Sequence, residues 1–122
     1  MKKLKMYLDT SIISFMYADD APEKQSLTNE FFKKYLSVYE VYVSSLVLTE
    51  IENTQDAALR RKLLDIVKEF DLAVINIEPE GQERIFDLAR MYVKERIIPQ
   101  RKFDDAMHVA ICAYYDSTLD IF

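Results

Sequence analysis

Short apolar runs alternate with longer segments of helical periodicity along this chain, and that alternation limits what the chain can fold into. The predicted strands cover residues 5–8, 40–44, 72–77 and 119–122, and the predicted helices cover 21–39, 45–53, 57–70, 82–96 and 103–115. Strands that alternate with helices favour right-handed crossovers and a parallel sheet covered on both faces. We therefore predict one α/β domain over residues 1–122, with three α/β/α layers and a parallel sheet of about four strands.

Two segments carry additional signals. The sequence AMHVAICAYY within 103–115 is apolar nearly all round, which predicts a helix buried in the middle of the domain. Pro79 and Gly81 follow the third predicted strand and are interpreted as its boundary.

Composition excludes several classes of protein. The chain has one glycine, Gly81, which cannot build a glycine-rich phosphate loop, and one cysteine, Cys112, which cannot form an internal disulfide. No apolar run approaches the roughly 20 residues needed to cross a bilayer, and no signal peptide is recognisable. We expect a cytoplasmic protein without membrane contact. The net charge of −5 argues against a protein that coats nucleic acid, but it allows a nuclease that touches a few phosphates and favours a basic protein partner.

Acidic side chains follow the predicted strands at three places. Asp9 comes directly after the first strand, Glu50 lies in the helix after the second, and Asp104 and Asp105 begin the apolar helix. Ligands of parallel α/β sheets bind outside the carboxyl ends of the strands, where these segments can converge. Clustered carboxylates repel one another unless a cation neutralises them, and hard oxygen ligands favour Mg²⁺ or Mn²⁺. Such an ion supports hydrolysis of a phosphodiester.

Each acid also has a purely structural interpretation. Asp9 is a suitable N-cap, the two aspartates complement the positive end of a helix dipole, and Glu50 is an ordinary helix residue for which Glu52 competes.

Other polar residues have weaker signals. His108 and Cys112 share a helix face, but a zinc site would lack ligands, so we interpret them as packing residues. Arg101 and Lys102 precede the last acidic pair and are candidates to hold a substrate phosphate, whereas the basic residues at 60–62 are interpreted as a solvated surface.

Three segments resemble, in order and spacing, the acidic motifs of the PIN-domain family, in particular the VapC-like toxins of bacterial and archaeal toxin-antitoxin pairs. These segments are YLDTSIISFMY, VSSLVLTEIEN and PQRKFDDAMHVAICAYY. The resemblance implies a Mg²⁺- or Mn²⁺-dependent ribonuclease, usually a homodimer, that is inhibited by an antitoxin protein whose tail enters the acidic cleft.

Matched residue by residue, the resemblance assigns the three catalytic and metal-binding acids to Asp9, Glu50 and Asp105. Asp104 is a candidate additional ligand, and Thr10 or Ser11 occupies the hydroxyl position that supports the first acid. PIN domains continue beyond the fourth strand, whereas this sequence stops at Phe122, so we expect a truncated C-terminal end or a shortened, inactive member. A non-catalytic module that docks a basic peptide in the acidic cleft, and a structure-specific DNA nuclease, remain as alternatives.

Overall fold

The structure, a computed structural model, describes residues 3–119, with the side chains of 116–119 excepted. Its strands are β1 (Lys5–Tyr7), β2 (Glu40–Ser44) and β3 (Ala73–Ile75). Its α-helices are α1 (Thr10–Ser14), α2 (Pro22–Glu30), α3 (Ser45–Glu52), α4 (Ala57–Glu69), α5 (Pro79–Lys94) and α6 (Phe103–Leu119). The chain divides into two compact units, of which the first ends at Asn76 and the second begins at Ile77. The prediction of a single domain over residues 1–122 stays a prediction.

The sheet belongs to the first unit and has the order β1-β2-β3, with both pairs parallel. Tyr7 is paired with Tyr42, and Ser44 is paired with Ile75. The predicted α/β class with a parallel sheet is confirmed, but the described part of the chain contains three strands rather than four. The fourth strand, predicted at 119–122, lies outside the described residues except for Leu119, which ends α6.

The core of the first unit is formed by apolar residues of the sheet and of the helices around it. The buried members are Leu8, Ile13, Phe32, Val41, Val43, Val47, Ile51, Leu63, Ile66, Val67 and Leu72. Burial of each such side chain contributes about 1.5–3 kcal/mol relative to exposure. The predicted strand at 40–44 is confirmed, and it supplies alternate residues to that core. The predicted helix at 57–70 is also confirmed, and its core residues recur at helical spacing.

The helix predicted over 21–39 is divided into three parts. After α2 the chain continues as a π-helical turn at Phe31–Tyr35 and a 3₁₀ turn at Leu36–Val38. Phe32 is buried, but Leu27 is 67% exposed and Tyr35 is 50% exposed, so the apolar residues of this segment do not all face the core. The segment is helical, as predicted, but it is not one continuous α-helix.

Two helices end in the same way although neither end carries glycine. Asp71 after α4 and Arg96 after α5 both have positive φ, of 50° and 59°. The N–H of Asp71 donates to the carbonyl of Lys68 at 3.2 Å, and the N–H of Arg96 donates to the carbonyl of Val93 at 3.0 Å. In each case the next N–H donates to the carbonyl five residues earlier, which completes a Schellman motif. A side chain in this left-handed conformation costs about 1–2 kcal/mol that glycine avoids.

The second unit pairs α5 with α6. Helix α5 begins at Pro79 and not at Gln82, so Pro79 occupies the first turn, where its missing N–H is tolerated. Gly81 is buried in that turn. The ring of Tyr114 packs so closely against it that an added Cβ would lie 3.2 Å from Cε2 of Tyr114. The third strand ends before Pro79, as predicted, but Pro79 and Gly81 both belong to the helix that follows, which begins three residues before its predicted start.

Helix α6 is only partly buried. Ala106, His108, Ala110 and Ile111 are buried, whereas Val109 is 45% exposed, so the prediction of a helix buried all round was wrong. No helix in residues 3–119 combines the length and the hydropathy that crossing a membrane requires.

We expect Arg96→Gly to raise the free energy of unfolding by about 1 kcal/mol, because glycine adopts the left-handed conformation of this helix end without a Cβ clash. The matched control is Arg84→Gly in the interior of α5, which should lower stability by about 1 kcal/mol through helix propensity. Urea denaturation of both variants measures the two changes. A loss of stability in Arg96→Gly would contradict the assignment.

We expect Tyr115 to ionise above the ordinary tyrosine value of about 10. Burial raises the pKa of the Tyr115 phenol, Tyr114 and Glu78 act in the same direction, and a hydrogen bond with the Glu78 backbone partly opposes them. The neutral phenol is favoured in the folded state, so its stabilisation is present below pH 10 and is lost as the pH rises further. The difference between the phenolate absorbance titrations of the wild type and Tyr115→Phe isolates this group. A difference curve with its midpoint at or below pH 10 would contradict the prediction.

Candidate functional site

The carboxyl ends of β1 and β2 lie side by side, and each strand passes directly into a helix. The N–H of Leu8 donates to the carbonyl of Tyr42 at 2.8 Å, which extends the pairing one residue beyond β1. Asp9 then caps α1, and Ser44 caps α3. The hydroxyls of Tyr7 and Ser44 lie 2.8 Å apart across the two strands. This edge of the sheet therefore concentrates polar side chains immediately above the core.

Asp9 has a defined structural role. Its backbone is extended, with φ −85° and ψ 174°, and its Oδ1 accepts a hydrogen bond from the N–H of Ile12 at 3.2 Å. The N-cap interpretation of the sequence is confirmed. A carboxylate has two oxygens and about four lone-pair positions, so capping through Oδ1 leaves acceptor capacity for a cation. The structural role and a metal-binding role are compatible.

Thr10 connects the two strand ends. Its Oγ1 donates to Oε1 of Glu50 at 2.7 Å, across 40 residues of sequence, and both residues are partly buried. Ser11 is exposed. Of the two hydroxyls considered at this position, Thr10 is the one that contacts an acid, and that acid is Glu50 rather than the adjacent Asp9.

Glu50 is distinguished from its neighbour Glu52 by this bond and by burial. Both belong to α3, but Glu52 is exposed, whereas Glu50 is half-buried and accepts the short hydrogen bond from Thr10. Charge-assisted hydrogen bonds of this kind fix the orientation of a carboxylate. The structure therefore brings Asp9, Thr10 and Glu50 together in the first unit.

Asp104 and Asp105 belong to the second unit. Both are exposed in the first turn of α6, where they complement the helix dipole. Asp105 directly precedes Ala106, which is fully buried. Their predicted convergence with the acids of the first unit stays a prediction.

The phosphate-binding candidates lie just before this pair. Arg101 and Lys102 are exposed in a 3₁₀ turn, Gln100–Lys102, that leads into α6. The N–H of Lys102 donates to the carbonyl of Pro99 at 2.9 Å, which closes the turn. Both cations are therefore presented to solvent one turn from the acids.

The oxygen donors of the first unit suit a hard divalent cation. In neither unit do the described residues contain a group of three or more His, Cys, Asp or Glu side chains that could hold a metal. Mg²⁺, however, is commonly bound by one or two carboxylates with water and substrate oxygens completing its shell. Asp9 and Glu50, supported by Thr10, match that requirement in chemistry.

The remaining polar candidates have structural contacts. His108 is buried, with 6% of its surface exposed, on the same helix as Cys112. Arg60 Nη1 donates to the carbonyl of Thr54 at 2.8 Å, and Lys62 Nζ lies 5.3 Å from the ring centroid of Tyr17. These contacts favour the structural interpretation given to the 60–62 cluster. Sequence reasoning missed the Tyr7 and Ser44 hydroxyl pair, whose signal was the presence of a polar residue at the end of each strand.

Comparison with known proteins adds a family assignment. The sequence model of the PIN domain family matches residues 6–119, which is nearly the whole chain. Among curated proteins, the chain is similar to core protein VP3 of Epizootic hemorrhagic disease virus 2 (strain Australia), with 32% identity over 90 residues. That alignment covers 70% of this chain and 10% of the viral protein, so the chain spans about a tenth of that relative's length. No solved structure gives a significant match.

PIN domains have a nuclease-type fold and are typically metal-dependent nucleases. The match includes the segments that carry Asp9, Glu50 and Asp105. On this evidence the chain belongs to the PIN domain family.

Proposed function

We propose that this protein is a divalent-metal-dependent endoribonuclease that hydrolyses RNA phosphodiesters. Asp9, Glu50 and Asp105 serve as its metal-binding catalytic acids, with Mg²⁺ or Mn²⁺ as the ion. The observation that carries the proposal is the 2.7 Å hydrogen bond from Thr10 to Glu50. It joins the segments that follow two adjacent parallel strands, next to Asp9, in a chain of a family whose members are typically metal-dependent nucleases.

Each side chain has a distinct task in this proposal. When bound, a divalent ion lowers the pKa of water and stabilises the charge that develops on a phosphoryl oxygen. Asp9 is held at the strand end by its cap bond to Ile12, and Thr10 holds Glu50 in one orientation. Such fixed orientation matters because catalytic groups act efficiently only when they are preorganised.

The second unit supplies the substrate contacts and the third acid. Arg101 and Lys102 bind phosphate oxygens of the RNA strand, since both are exposed just before α6. Asp105 is the third acid, and Asp104 is an additional ligand. An exposed cationic pair beside a pair of acids binds the substrate backbone without requiring a basic protein surface.

The choice of RNA and of a toxin role rests on the resemblance to VapC-like toxins. By that resemblance the protein acts as a cytoplasmic homodimer and is inhibited by an antitoxin protein. The net charge of −5 favours a basic inhibitory segment. The competing functions, a DNA nuclease and a non-catalytic module that docks a basic peptide, are separated by the experiments below.

Isothermal titration should show saturable Mn²⁺ binding to the wild type and none to Asp9→Ala. Thr10→Val preserves the side-chain shape and removes the donor to Glu50, so we expect its Mn²⁺ affinity to fall about 10- to 100-fold, as for other groups that orient metal ligands. Ser11→Ala is the matched control, because it removes an exposed hydroxyl at the next position. Equal affinities for Thr10→Val and Ser11→Ala would refute the role of Thr10.

Cleavage of an end-labelled single-stranded RNA in Mn²⁺ should slow at least about a hundredfold in Glu50→Gln and Asp105→Asn. A hundredfold loss corresponds to about 3 kcal/mol of transition-state stabilisation. Glu52→Gln, a matched change on the exposed side of α3, should retain the wild-type rate, and Asp104→Asn should lose less than Asp105→Asn.

The same assay with single-stranded and branched DNA tests the alternative nuclease. Faster cleavage of DNA than of RNA would overturn the ribonuclease assignment. Metal-independent capture of a basic peptide together with no cleavage of either substrate would establish the binding module instead.

A further inference from the structure

A small cavity in the second unit lies where α5 approaches the turn before α6. It has a volume of about 210 Å³ and is lined by Arg90, Val93, Lys94, Gln100 and Phe103. The first three belong to α5, Gln100 begins the 3₁₀ turn that contains Arg101 and Lys102, and Phe103 begins α6. The cavity therefore combines two cations, one amide and one aromatic ring.

The two cations are placed side by side. Arg90 and Lys94 are four residues apart on α5, a spacing at which like charges repel. Among the described residues neither forms an ion pair, whereas Arg84 on the same helix pairs with Glu80 at 3.7 Å. Asp87 and Glu95 line a neighbouring depression with these cations, but the described lining of the cavity contains no carboxylate. The side of Arg90 and Lys94 that faces the cavity is therefore suited to binding an anion.

The aromatic wall is held in place by its neighbours. The ring of Phe103 makes an edge contact with Phe86 at a centroid separation of 5.5 Å, and the Arg90 guanidinium lies 5.7 Å from the Phe86 ring. A positioned ring beside two cations offers a surface for stacking together with phosphate contacts, which is the combination that binds single-stranded nucleic acid. Gln100 adds an amide donor and acceptor for the edge of a base.

The size of the cavity indicates whether its ligand is a whole small molecule or one unit of a polymer. Small-molecule sites usually enclose about 300–1,000 Å³, and this cavity is smaller than that range. It fits part of one nucleotide of a strand that continues along the surface. Phe103 directly precedes Asp104 and Asp105, so the cavity lies at the start of the helix that carries the proposed third acid.

We propose that this cavity is a nucleotide-binding subsite for the single-stranded RNA substrate. Arg90 and Lys94 bind one or two phosphates, and Phe103 stacks on a base. The identity of the strand as RNA rests on the proposed function, whereas the recognition of phosphate and base rests on the cavity itself.

The test measures binding of a fluorescein-labelled single-stranded oligoribonucleotide to the full chain by fluorescence anisotropy. EDTA is present so that no metal-dependent cleavage occurs. The double variant Arg90→Ala/Lys94→Ala loses two phosphate contacts, so it should bind the oligonucleotide about 25-fold more weakly in 0.1 M salt and about threefold more weakly in 0.5 M salt. The reason is that each contact to a single strand contributes about 0.7 to the slope of log affinity against log salt concentration. The matched control is Arg84→Ala, which removes another exposed cation of α5 that lies outside the cavity. It should change affinity less than twofold.

Phe103→Leu separates stacking from charge. It should weaken binding at least about fivefold without changing the salt slope, and circular dichroism should show that the variant is folded. The single variant Lys94→Ala, at an exposed position, provides the charge test independently of any change in the core.

Two results would overturn the subsite. One is an equal loss of affinity in Arg84→Ala and in the Arg90 and Lys94 variants, which would indicate general electrostatic attraction. The other is the absence of binding by the wild type in EDTA at 0.1 M salt. Failure of the nuclease proposal is seen separately, as binding that persists without cleavage in Mn²⁺, and it would leave the subsite in place.

Discussion

The parallel pairing of β1 with β2 is the constraint on which the candidate site depends. Tyr7 is paired with Tyr42, and the same register places Asp9 level with Ser44, so the chain enters a helix after each strand at the same edge. In this register Oγ1 of Thr10 donates to Oε1 of Glu50 at 2.7 Å. A slip by one residue would turn every side chain of β1 to the opposite face and move apolar Met6 and Leu8 relative to the core. The apolar residues that stabilise the sheet therefore also position the acids.

Capping and metal binding are often treated as competing explanations for an aspartate at a strand end, but the geometry of Asp9 is compatible with both. The bond from the Ile12 N–H to Asp9 fixes the carboxylate against the start of α1. A cap of this type stabilises a helix by about 1 kcal/mol, which favours the rotamer in which the carboxylate accepts this bond. Thr10, the next residue, holds Glu50. Two consecutive residues thus orient two carboxylates from different strands.

Sequence reasoning succeeded where a residue's role depends on its neighbours in the chain and failed where it depends on distant ones. The strand at 40–44 has the predicted bounds, because its alternation is a local signal. The short helix α1 gave no signal, since five residues do not complete two turns of periodicity. The helix ends at Asp71 and Arg96 lack the glycine that is typical of the left-handed conformation, and α5 begins three residues before its predicted start, with Gly81 accommodated by a tertiary contact with Tyr114. The choice of Thr10 over Ser11, and of Glu50 over Glu52, likewise needed a bond that spans 40 residues.

The net charge of this protein is negative, whereas the charge of one of its segments is positive, and this difference bears on how an acidic chain can bind a polyanion. The whole chain carries −5, yet residues 90–102 contain five basic residues and one acidic residue. Electrostatic attraction between exposed charges is screened beyond about 8–10 Å in physiological salt, so a strand near this segment interacts chiefly with the local excess of cations. The acidic remainder of the surface repels nucleic acid elsewhere. An acidic protein with such a basic segment is therefore suited to holding a single strand at a local site rather than over the whole of its surface.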